Sequence, residues 1–258
     1  MSTILVTGAT DGLGRALAKA LVARDHDVLV HGRSQERIDA TVAELGSSRV
    51  RAYRADLSSL TEVRELARAV REREERLDVL VNNAGIGAHG PREESADGLE
   101  LRFAVNYLAG FVLTRELLDL LRASAPARIV NVASAGQQAL DFDDLQLERD
   151  YSGVRAYCQS KLAQILFTID LAGELQGTGV TVTALHPATY MPTKMVPSPI
   201  STLQEGVDAT LRLVDSPEVE GVSGVYFNGQ AEARADAQAY DADARRALRA
   251  ASETLSAG

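Results

Sequence analysis

The segment "TILVTGATDGLGRALAKALV" (residues 3–22) decides the fold, because it joins a strand pattern to a helix pattern through a glycine-rich turn. Residues 3–8 form an apolar run of β type, and helical spacing of apolar residues begins at Leu13. Three glycines, Gly8, Gly12 and Gly14, separate the two patterns. Such glycines allow a tight turn, a close approach of the backbone to a diphosphate, and close packing of helix on strand. The segment predicts a dinucleotide-binding βα unit, although a plain βα turn would use the same residues.

Apolar β-type runs and helical periods alternate along the rest of the chain. Strands that are apolar on both faces and separated by helices indicate a parallel sheet covered on both sides. We therefore expect an α/β protein with a single-domain doubly wound (Rossmann) parallel sheet of about seven strands and helices on both faces, over residues 1–258. The predicted strands are 3–8, 27–32, 49–57, 77–85, 127–136, 179–188 and 223–229, and the predicted helices are 13–25, 34–46, 59–77, 96–124 and 153–175.

Two segments near the C-terminus fall outside this alternation. Residues 188–201 hold three prolines and follow a predicted strand, so they are a substrate lid or an ordinary loop. They lead into Thr202 and Glu205, which have the spacing of a helix capping box. The Ala/Arg-rich tail predicts a C-terminal helix at about 233–255.

Composition excludes several classes of protein. The formal net charge of −9 disfavours binding to nucleic acid or to anionic membranes. No stretch reaches the length of a membrane span, and the N-terminus lacks the features of a signal peptide. Cys158 is the only cysteine, so an internal disulfide is impossible and a reducing cytoplasm is the expected location. We expect no metal site.

The end of the second strand, "HGRS" (31–34), bears on the choice of dinucleotide. An NAD site usually has an acidic residue here for the adenosine 2′-hydroxyl. This chain has Arg33, whose guanidinium suits a 2′-phosphate, so NADP(H) is favoured. A solvated arginine at a helix start is the alternative, and Asp11 in the glycine loop would lie close to an added phosphate. Asp56, after the third strand, is a candidate acceptor for the adenine amino group or a cap for the next helix.

The pentapeptide "YCQSK" (157–161) places Tyr157 and Lys161 on one face of a helix. An isolated pair with this spacing is more often a surface pair. A free phenol has a pKa of about 10, and a nearby cation favours the phenolate, which makes Tyr157 a candidate acid/base. Ser134, at the end of a strand, is a candidate hydrogen-bond partner for a substrate oxygen.

An ordered set of motifs extends over nearly the whole chain. The loop TGxxxGxG (7–14), "NNAG" (82–85), Asn106, Ser134, YxxxK (157–161) and Pro187 resemble the short-chain dehydrogenase/reductase family. The stretches "DLSSLTEVRELA" (56–67), "YCQSKLAQILFT" (157–168), "SGVYF" (223–227) and the acidic insert 141–150 resemble retinol-dehydrogenase-like NADPH-dependent members and secondary-metabolite ketoreductases from high-GC bacteria.

The resemblance implies roles for individual residues. Tyr157 would exchange the proton, Lys161 would also hold the nicotinamide ribose, Ser134 would bind the substrate oxygen, and Asn106 would hold a water that links the lysine to solvent. The implied catalytic residues are Asn106, Ser134, Tyr157 and Lys161, and the implied cofactor-binding residues are Gly8, Thr10, Asp11, Gly12, Leu13, Gly14, Arg33, Ser34, Asp56, Leu57, Asn83, Ala84, Gly85, Tyr157, Lys161, Pro187, Thr189 and Thr193.

The run "HPATYMPTKM" (186–195) departs from the family pattern of Pro-Gly followed by a threonine that bonds the nicotinamide carboxamide. Ala188 replaces the glycine, and Pro192 stands where the threonine would fall. Thr189 or Thr193 is left for the carboxamide contact.

The resemblance implies an NADPH-dependent oxidoreductase that reduces a ketone or aldehyde of a small molecule, reversibly with alcohol oxidation. A short lid suggests a bulky, largely apolar substrate. One alternative is a non-catalytic NADP(H)-binding sensor or interaction protein, but such proteins usually lose the tyrosine or the lysine. A second is a nucleotide-sugar epimerase or dehydratase, which usually has a larger C-terminal domain. A homodimer through the helices 96–124 and 153–175 is compatible with their apolar runs.

Overall fold

One eight-stranded sheet forms the centre of the protein, in a computed structural model that describes residues 1–192 and 198–257. The strand order is β3-β2-β1-β4-β5-β6-β7-β8. Strands β1 to β7 pair in parallel, and β8 joins β7 in antiparallel orientation. The strands are β1 (Thr3–Val6), β2 (Asp27–Gly32), β3 (Val50–Arg54), β4 (Val79–Asn82), β5 (Ala127–Val132), β6 (Val180–His186), β7 (Val225–Asn228) and β8 (Ala231–Ala233).

Helices cover both faces of this sheet. They are α1 (Gly12–Val22), α2 (Gln35–Leu45), α3 (Leu60–Arg73), α4 (Ala109–Ala123), α5 (Gly153–Glu174), α6 (Leu203–Asp215) and α7 (Ala242–Leu255). A π-helix, Phe103–Leu108, leads into α4, and short 3₁₀ helices lie at Pro217–Val219 and Ala237–Tyr240.

Alternation along the strands explains the two apolar layers. Ile4 and Val6 of β1 pack in the cluster that contains the buried residues of α1 and α6, whereas Leu5 packs in the cluster of α3, α4, α5 and α7. Successive side chains of a strand point to opposite faces, so a strand that is apolar throughout requires helices on both sides. The expected doubly wound fold is confirmed, and the short edge strand β8 is an addition to the expected seven.

The helix expected from residue 96 was placed too early. Ser95 Oγ accepts hydrogen bonds from the backbone N–H groups of Asp97 and Leu99, both at 3.2 Å, and Gly98 has φ +75°. Asp97 Oδ2 accepts from the N–H of Leu60, at 2.9 Å, at the start of α3. Because these side chains bond to backbone groups, they hold residues 95–98 in a turn that competes with helix formation. The irregular part of the helix is the π-helix Phe103–Leu108, which leads directly into α4.

The C-terminal helix also differs from its expected bounds. It begins at Ala242 and not at about 233, because residues 231–233 pair with β7 as a strand. Asp241 is its N-cap and accepts from the N–H of Asp243 at 2.8 Å. The expected capping role of Thr202 is seen at α6, where its hydroxyl accepts from the N–H of Glu205 at 3.2 Å.

Helix α7 packs on α5 and the π-helix. Leu248 is buried, Arg249 Nε donates to Asp170 Oδ2 at 2.8 Å, and the Tyr107 and Ser252 hydroxyls are 2.7 Å apart. Part of the surface expected to form a dimer is therefore covered by the chain itself, and dimerisation stays a prediction for what remains. In the described residues, no helix has the length and apolar character needed to cross a membrane.

Candidate active site

The glycine loop is fixed against the segment that follows β4. Thr7 Oγ1 accepts from the N–H groups of Asn83 and Ala84 at 2.9 and 3.0 Å, and Asn83 Nδ2 donates to the Thr7 carbonyl at 2.8 Å. A Cβ on Gly8, which has φ +65°, would come within 3.0 Å of Ala84 Cα. Asn83 thus ties two strand ends together. Thr7, which does most of the bonding here, was not singled out from the sequence.

Helix α1 begins directly after this loop. Asp11 is the N-cap and accepts from the N–H of Gly12 at 2.9 Å. A Cβ on Gly14 would overlap the carbonyl oxygen of Gly8, so the helix can approach the strand only without a side chain there. Thr10 packs on Gly32, where a Cβ would lie 2.6 Å from Thr10 Cγ2. The loop has the form of an anion site at a helix N-terminus, with Leu13 in the first turn.

His31 is a further member of this site that the sequence did not reveal. Its Nδ1 accepts from the N–H of Gly8 at 3.1 Å, and its Nε2 lies 3.1 Å from the carbonyl oxygen of Ala55. Burial lowers the pKa of His31 to about 4, which outweighs the raising effects of the Ala55 hydrogen bond and the charge of Asp56. The ring is therefore neutral at physiological pH, with its proton on Nε2, and it joins the loops after β1 and β3.

Two arginines border the end of β2. Arg33 is exposed, and Ser34 is the N-cap of α2, accepting from the N–H of Arg37 at 3.4 Å. The guanidinium of Arg37 lies 4.0 Å from the carboxylate of Asp11. Both cations are thus within one turn of the start of α2. Exposed ion pairs of this kind are weak, so the Arg37 side chain can exchange partners at little cost.

Asp56 forms a turn after β3, and its expected role as the cap of the next helix is wrong, because Ser59 is the N-cap of α3. Its Oδ1 accepts from the Ser58 N–H and hydroxyl at 2.9 and 2.8 Å. Partial burial opposes its ionisation, but these hydrogen bonds and the charge of Arg33 keep the pKa of Asp56 below its usual value. Leu57, the next residue, is buried.

Ser134 and Tyr157 meet beyond the end of β5. Burial raises the pKa of Tyr157, and this outweighs the Ser134 hydroxyl, which favours the phenolate. The N–H of Gly136 donates to Ser134 Oγ at 3.0 Å. A Cβ on Gly136 would contact Ser134 Oγ, the Tyr157 ring and Cys158 Sγ, at 3.5, 3.8 and 3.4 Å. Cys158 therefore lies beside Ser134 and Tyr157.

Lys161 is buried one turn along α5. Its Nζ donates to the carbonyl oxygen of Val132 at 2.8 Å and to Gln164 Oε1 at 3.0 Å, and it lies 5.9 Å from the centre of the Tyr157 ring. Burial lowers the pKa of Lys161 to about 7. A Cβ on Gly85 would lie 3.5 Å from this ammonium. A side chain at this position would therefore crowd both Asn106 and the cation.

Asn106 lies within the π-helix and joins the segment after β4 to α5. Its Oδ1 accepts from the N–H of Ile86 at 2.7 Å, and its Nδ2 donates to Ser160 Oγ at 2.9 Å. A π-helical turn is frequent at functional sites. The side chain therefore positions the segment after β4, while the role of Asn106 in holding a water stays a prediction.

The segment after β6 brings Thr189 to the same edge of the sheet. Its Oγ1 lies 3.0 Å from His186 Nε2, and the charge of Lys161 acts on the His186 ring, whose pKa is lowered mainly by burial. Pro187 is buried between them along the chain. Thr193 lies outside the described residues. The structure thus gathers the expected strand-end residues at one edge, with Arg33 and Asp56 at the far end from Tyr157.

Comparisons with known proteins agree with this geometry. The family model for short chain dehydrogenases matches residues 2–202. Retinol dehydrogenase 13 of Mus musculus is 40% identical over 271 aligned positions, covering 95% of this chain and 81% of that protein. Its Homo sapiens counterpart is 37% identical and covers 98% and 84%.

A solved structure extends the likeness to the fold. The Pseudomonas aeruginosa RhlG/NADP active-site complex is 28% identical, with a TM-score of 0.71 over 88% of this chain and 94% of that one. The expected resemblance to retinol-dehydrogenase-like proteins is confirmed. The match extends over most of the chain and includes the glycine loop, Ser134 and the YxxxK pair. The chain therefore belongs to the short-chain dehydrogenase family, and it is an oxidoreductase of alcohol and carbonyl groups.

Proposed function

We propose that this protein uses NADPH to reduce a ketone or aldehyde of a bulky, largely apolar small molecule, reversibly with alcohol oxidation. The observation that carries the proposal is the meeting of Ser134 and Tyr157 around Gly136, where a Cβ would contact both the Ser134 hydroxyl and the tyrosine ring, with the Lys161 ammonium 5.9 Å from the centre of that ring. A proton donor, a second hydroxyl for the substrate oxygen and a cation are what carbonyl reduction requires of the protein.

Tyr157 acts as the proton donor. Burial raises its pKa, so the phenol is protonated at neutral pH. When bound, the reduced nicotinamide supplies the hydride that the carbonyl carbon accepts. Tyr157 gives its proton to the carbonyl oxygen, and one carbonyl, one hydride and one proton yield the alcohol. Ser134 donates a hydrogen bond to the same oxygen and stabilises its developing charge. Protonated Lys161 stabilises the phenolate left on Tyr157.

The cofactor pocket suits NADP(H). A side chain at Gly8 or Gly14 would collide with neighbouring backbone, so the loop leaves its concave side to a diphosphate. Gly85 adds no side chain beside the Lys161 ammonium, which would hold the ribose hydroxyls. Arg33 and Arg37 offer two guanidinium groups to a 2′-phosphate, and His31 to Ser34 contain no carboxylate that would repel it. The related RhlG structure is described as an NADP complex.

Exposed apolar side chains on the elements around the site support an apolar substrate. Val154 lies one turn before Tyr157, and Tyr190 and Ile200 belong to the segment proposed as a lid, 188–201. The N–H of Ile200 donates to the carbonyl oxygen of Tyr190 at 3.0 Å. The relatives are named for retinol, a bulky and largely apolar alcohol. The single free cysteine is consistent with a cytoplasmic location, which is part of this proposal.

The test follows oxidation of NADPH and of NADH, by absorbance, with a panel of ketones, aldehydes and quinones of increasing size. Tyr157→Phe should reduce the rate by about 100-fold or more, because it removes the proton donor. The matched control is Tyr53→Phe, which removes a buried tyrosine hydroxyl bonded to Glu74, far from the site. Tight NADPH binding with no turnover would instead favour the sensor function.

Cofactor choice is tested with Arg33→Ser. Loss of a charge-assisted hydrogen bond should weaken NADPH binding by about 10-fold or more and leave NADH binding unchanged. Arg68→Ser on α3 removes the same charge from an exposed position elsewhere. If Arg33→Ser and Arg68→Ser have equal effects on NADPH, Arg33 does not contact the 2′-phosphate.

A further inference from the structure

The motif "SGVYF" (223–227) has a structural role that the reaction does not explain by itself. Tyr226, in β7, is buried, and its hydroxyl donates to the backbone carbonyl oxygen of Ser134 at 3.1 Å, across 92 residues of sequence. Burial raises the pKa of Tyr226 to about 12, so this hydroxyl is a donor at every physiological pH. A buried tyrosine is thus aimed at the backbone of a residue in the active site.

The same carbonyl oxygen has a second donor. Gln137 Nε2 donates to Ser134 O at 3.0 Å, while Gln137 Oε1 accepts from the N–H of Asp236 at 2.8 Å. Further along the loop, Gln238 bonds both the N–H and the carbonyl of Leu140, at 2.6 and 3.0 Å. The loop 134–140 is therefore attached to residues 226–238, which lie beyond the part of the chain that matches the family model.

We propose that Tyr226 is a positioning residue for Ser134, so that the C-terminal part of the chain sets the geometry of the catalytic hydroxyls; this rests on the proposed function. Ser134 is held at two points. Tyr226 and Gln137 fix its carbonyl, and Gly136 N–H fixes its Oγ at 3.0 Å. Release of the carbonyl lets the peptide after Ser134 rotate, which moves the Gly136 N–H and misdirects the hydroxyl that bonds Tyr157.

The first test compares Tyr226→Phe with Tyr53→Phe, since each removes one buried tyrosine hydroxyl and its hydrogen bond. Tyr226→Phe should lower kcat about fivefold, the effect expected for one neutral hydrogen bond, with the Kd for NADPH unchanged. Tyr53→Phe should leave kcat as in the wild type. Equal kcat values for the two variants would overturn the proposal.

A second readout needs no substrate and separates this proposal from the proposed function. Amide hydrogen exchange at Gly136 reports the hydrogen bond to Ser134 Oγ directly. The exchange rate should rise in Tyr226→Phe and not in Tyr53→Phe. Faster exchange without turnover on any carbonyl would support the positioning role while the reductase proposal fails. Unchanged exchange would overturn the positioning role, whether or not the wild type is a reductase.

Discussion

Protonation of His31 should make this protein less stable as the pH falls towards its isoelectric point. The ring is buried and neutral, with a pKa of about 4, against 6.5 for an ordinary histidine. Between these values the unfolded chain binds a proton that the folded chain does not bind. The free energy of unfolding contributed by this group is therefore fully present above pH 6.5 and is lost as the pH falls towards 4.

The two pKa values give the size of the effect. Linkage predicts a loss of about 1.3 kcal/mol between about pH 7.5 and about pH 5.5, because the unfolded histidine is then mostly protonated and the folded one is not. The range remains above the isoelectric point of about 5.0, so the protein stays negatively charged throughout. Asp56 is the carboxylate whose charge acts on His31, and it stays ionised over this range because its own pKa is lowered.

The assay is urea unfolding of the wild type and of His31→Gln at both pH values. Glutamine carries one acceptor and one donor, which can replace Nδ1 and Nε2, but it does not titrate. Any fixed difference in stability cancels, and the stability of the wild type relative to the variant should fall by about 1.3 kcal/mol on acidification. If the difference in unfolding free energy between wild type and variant stays constant with pH, His31 is not the buried neutral residue that accepts the hydrogen bond from Gly8.

Three further predictions concern packing and the lysine. Gly14→Ala should lower the free energy of unfolding by about 1–3 kcal/mol, since the new Cβ would overlap the Gly8 carbonyl. Gly173→Ala on α5 has no atom near its Cβ and should raise the free energy of unfolding by about 0.5–1 kcal/mol, and urea unfolding compares the two variants. Leu248→Ala should cost about 2–5 kcal/mol by the same assay, and a loss under about 1 kcal/mol would mean that α7 does not pack on α5. Gln164→Leu removes a hydrogen-bond acceptor from the Lys161 ammonium and so lowers the pKa of Lys161. The decline of kcat/KM for reduction on the alkaline side should then move to lower pH, and a decline that does not move would exclude deprotonation of Lys161 as its cause.

The sequence predicted the sheet because its central strands, such as β1 and β4, are buried on both faces and each glycine of the first loop has a local reason. It did not predict β8, which is three residues long and mostly exposed, so no apolar pattern marks it. The π-helix was also missed, since "FAVNYL" is almost uniformly buried and such a segment has no periodicity to reveal its turn. The start of the helix expected over residues 96–124 was placed wrongly because Ser95 and Asp97 accept hydrogen bonds from backbone N–H groups. Some of these groups are local and one, at the start of α3, is distant in sequence.

Contacts that are remote in sequence explain the rest of what was missed at the site. His31 bonds groups 23 and 24 residues away, and Tyr226 bonds one that is 92 away. From the sequence alone, a histidine or a tyrosine within a strand is most simply interpreted as an ordinary buried side chain. Only the order of the strands in the sheet shows that His31 and Tyr226 contact loops of the site. The motif residues were found because their spacing is local, as with Tyr157 and Lys161. The residues that position them follow from topology, which no single stretch encodes.

The spacing of Tyr157 and Lys161 led us to expect that the lysine lowers the pKa of the tyrosine, and the structure assigns the effects differently. The ammonium donates to Val132 and Gln164, and the group that favours the phenolate is the Ser134 hydroxyl. Burial dominates over that hydrogen bond, so the pKa of Tyr157 is raised. A protonated phenol is ready to donate and must be deprotonated before it can accept. Burial therefore strengthens the hold of Tyr157 on its proton, and the helical spacing of Tyr157 and Lys161 does not by itself reveal that effect.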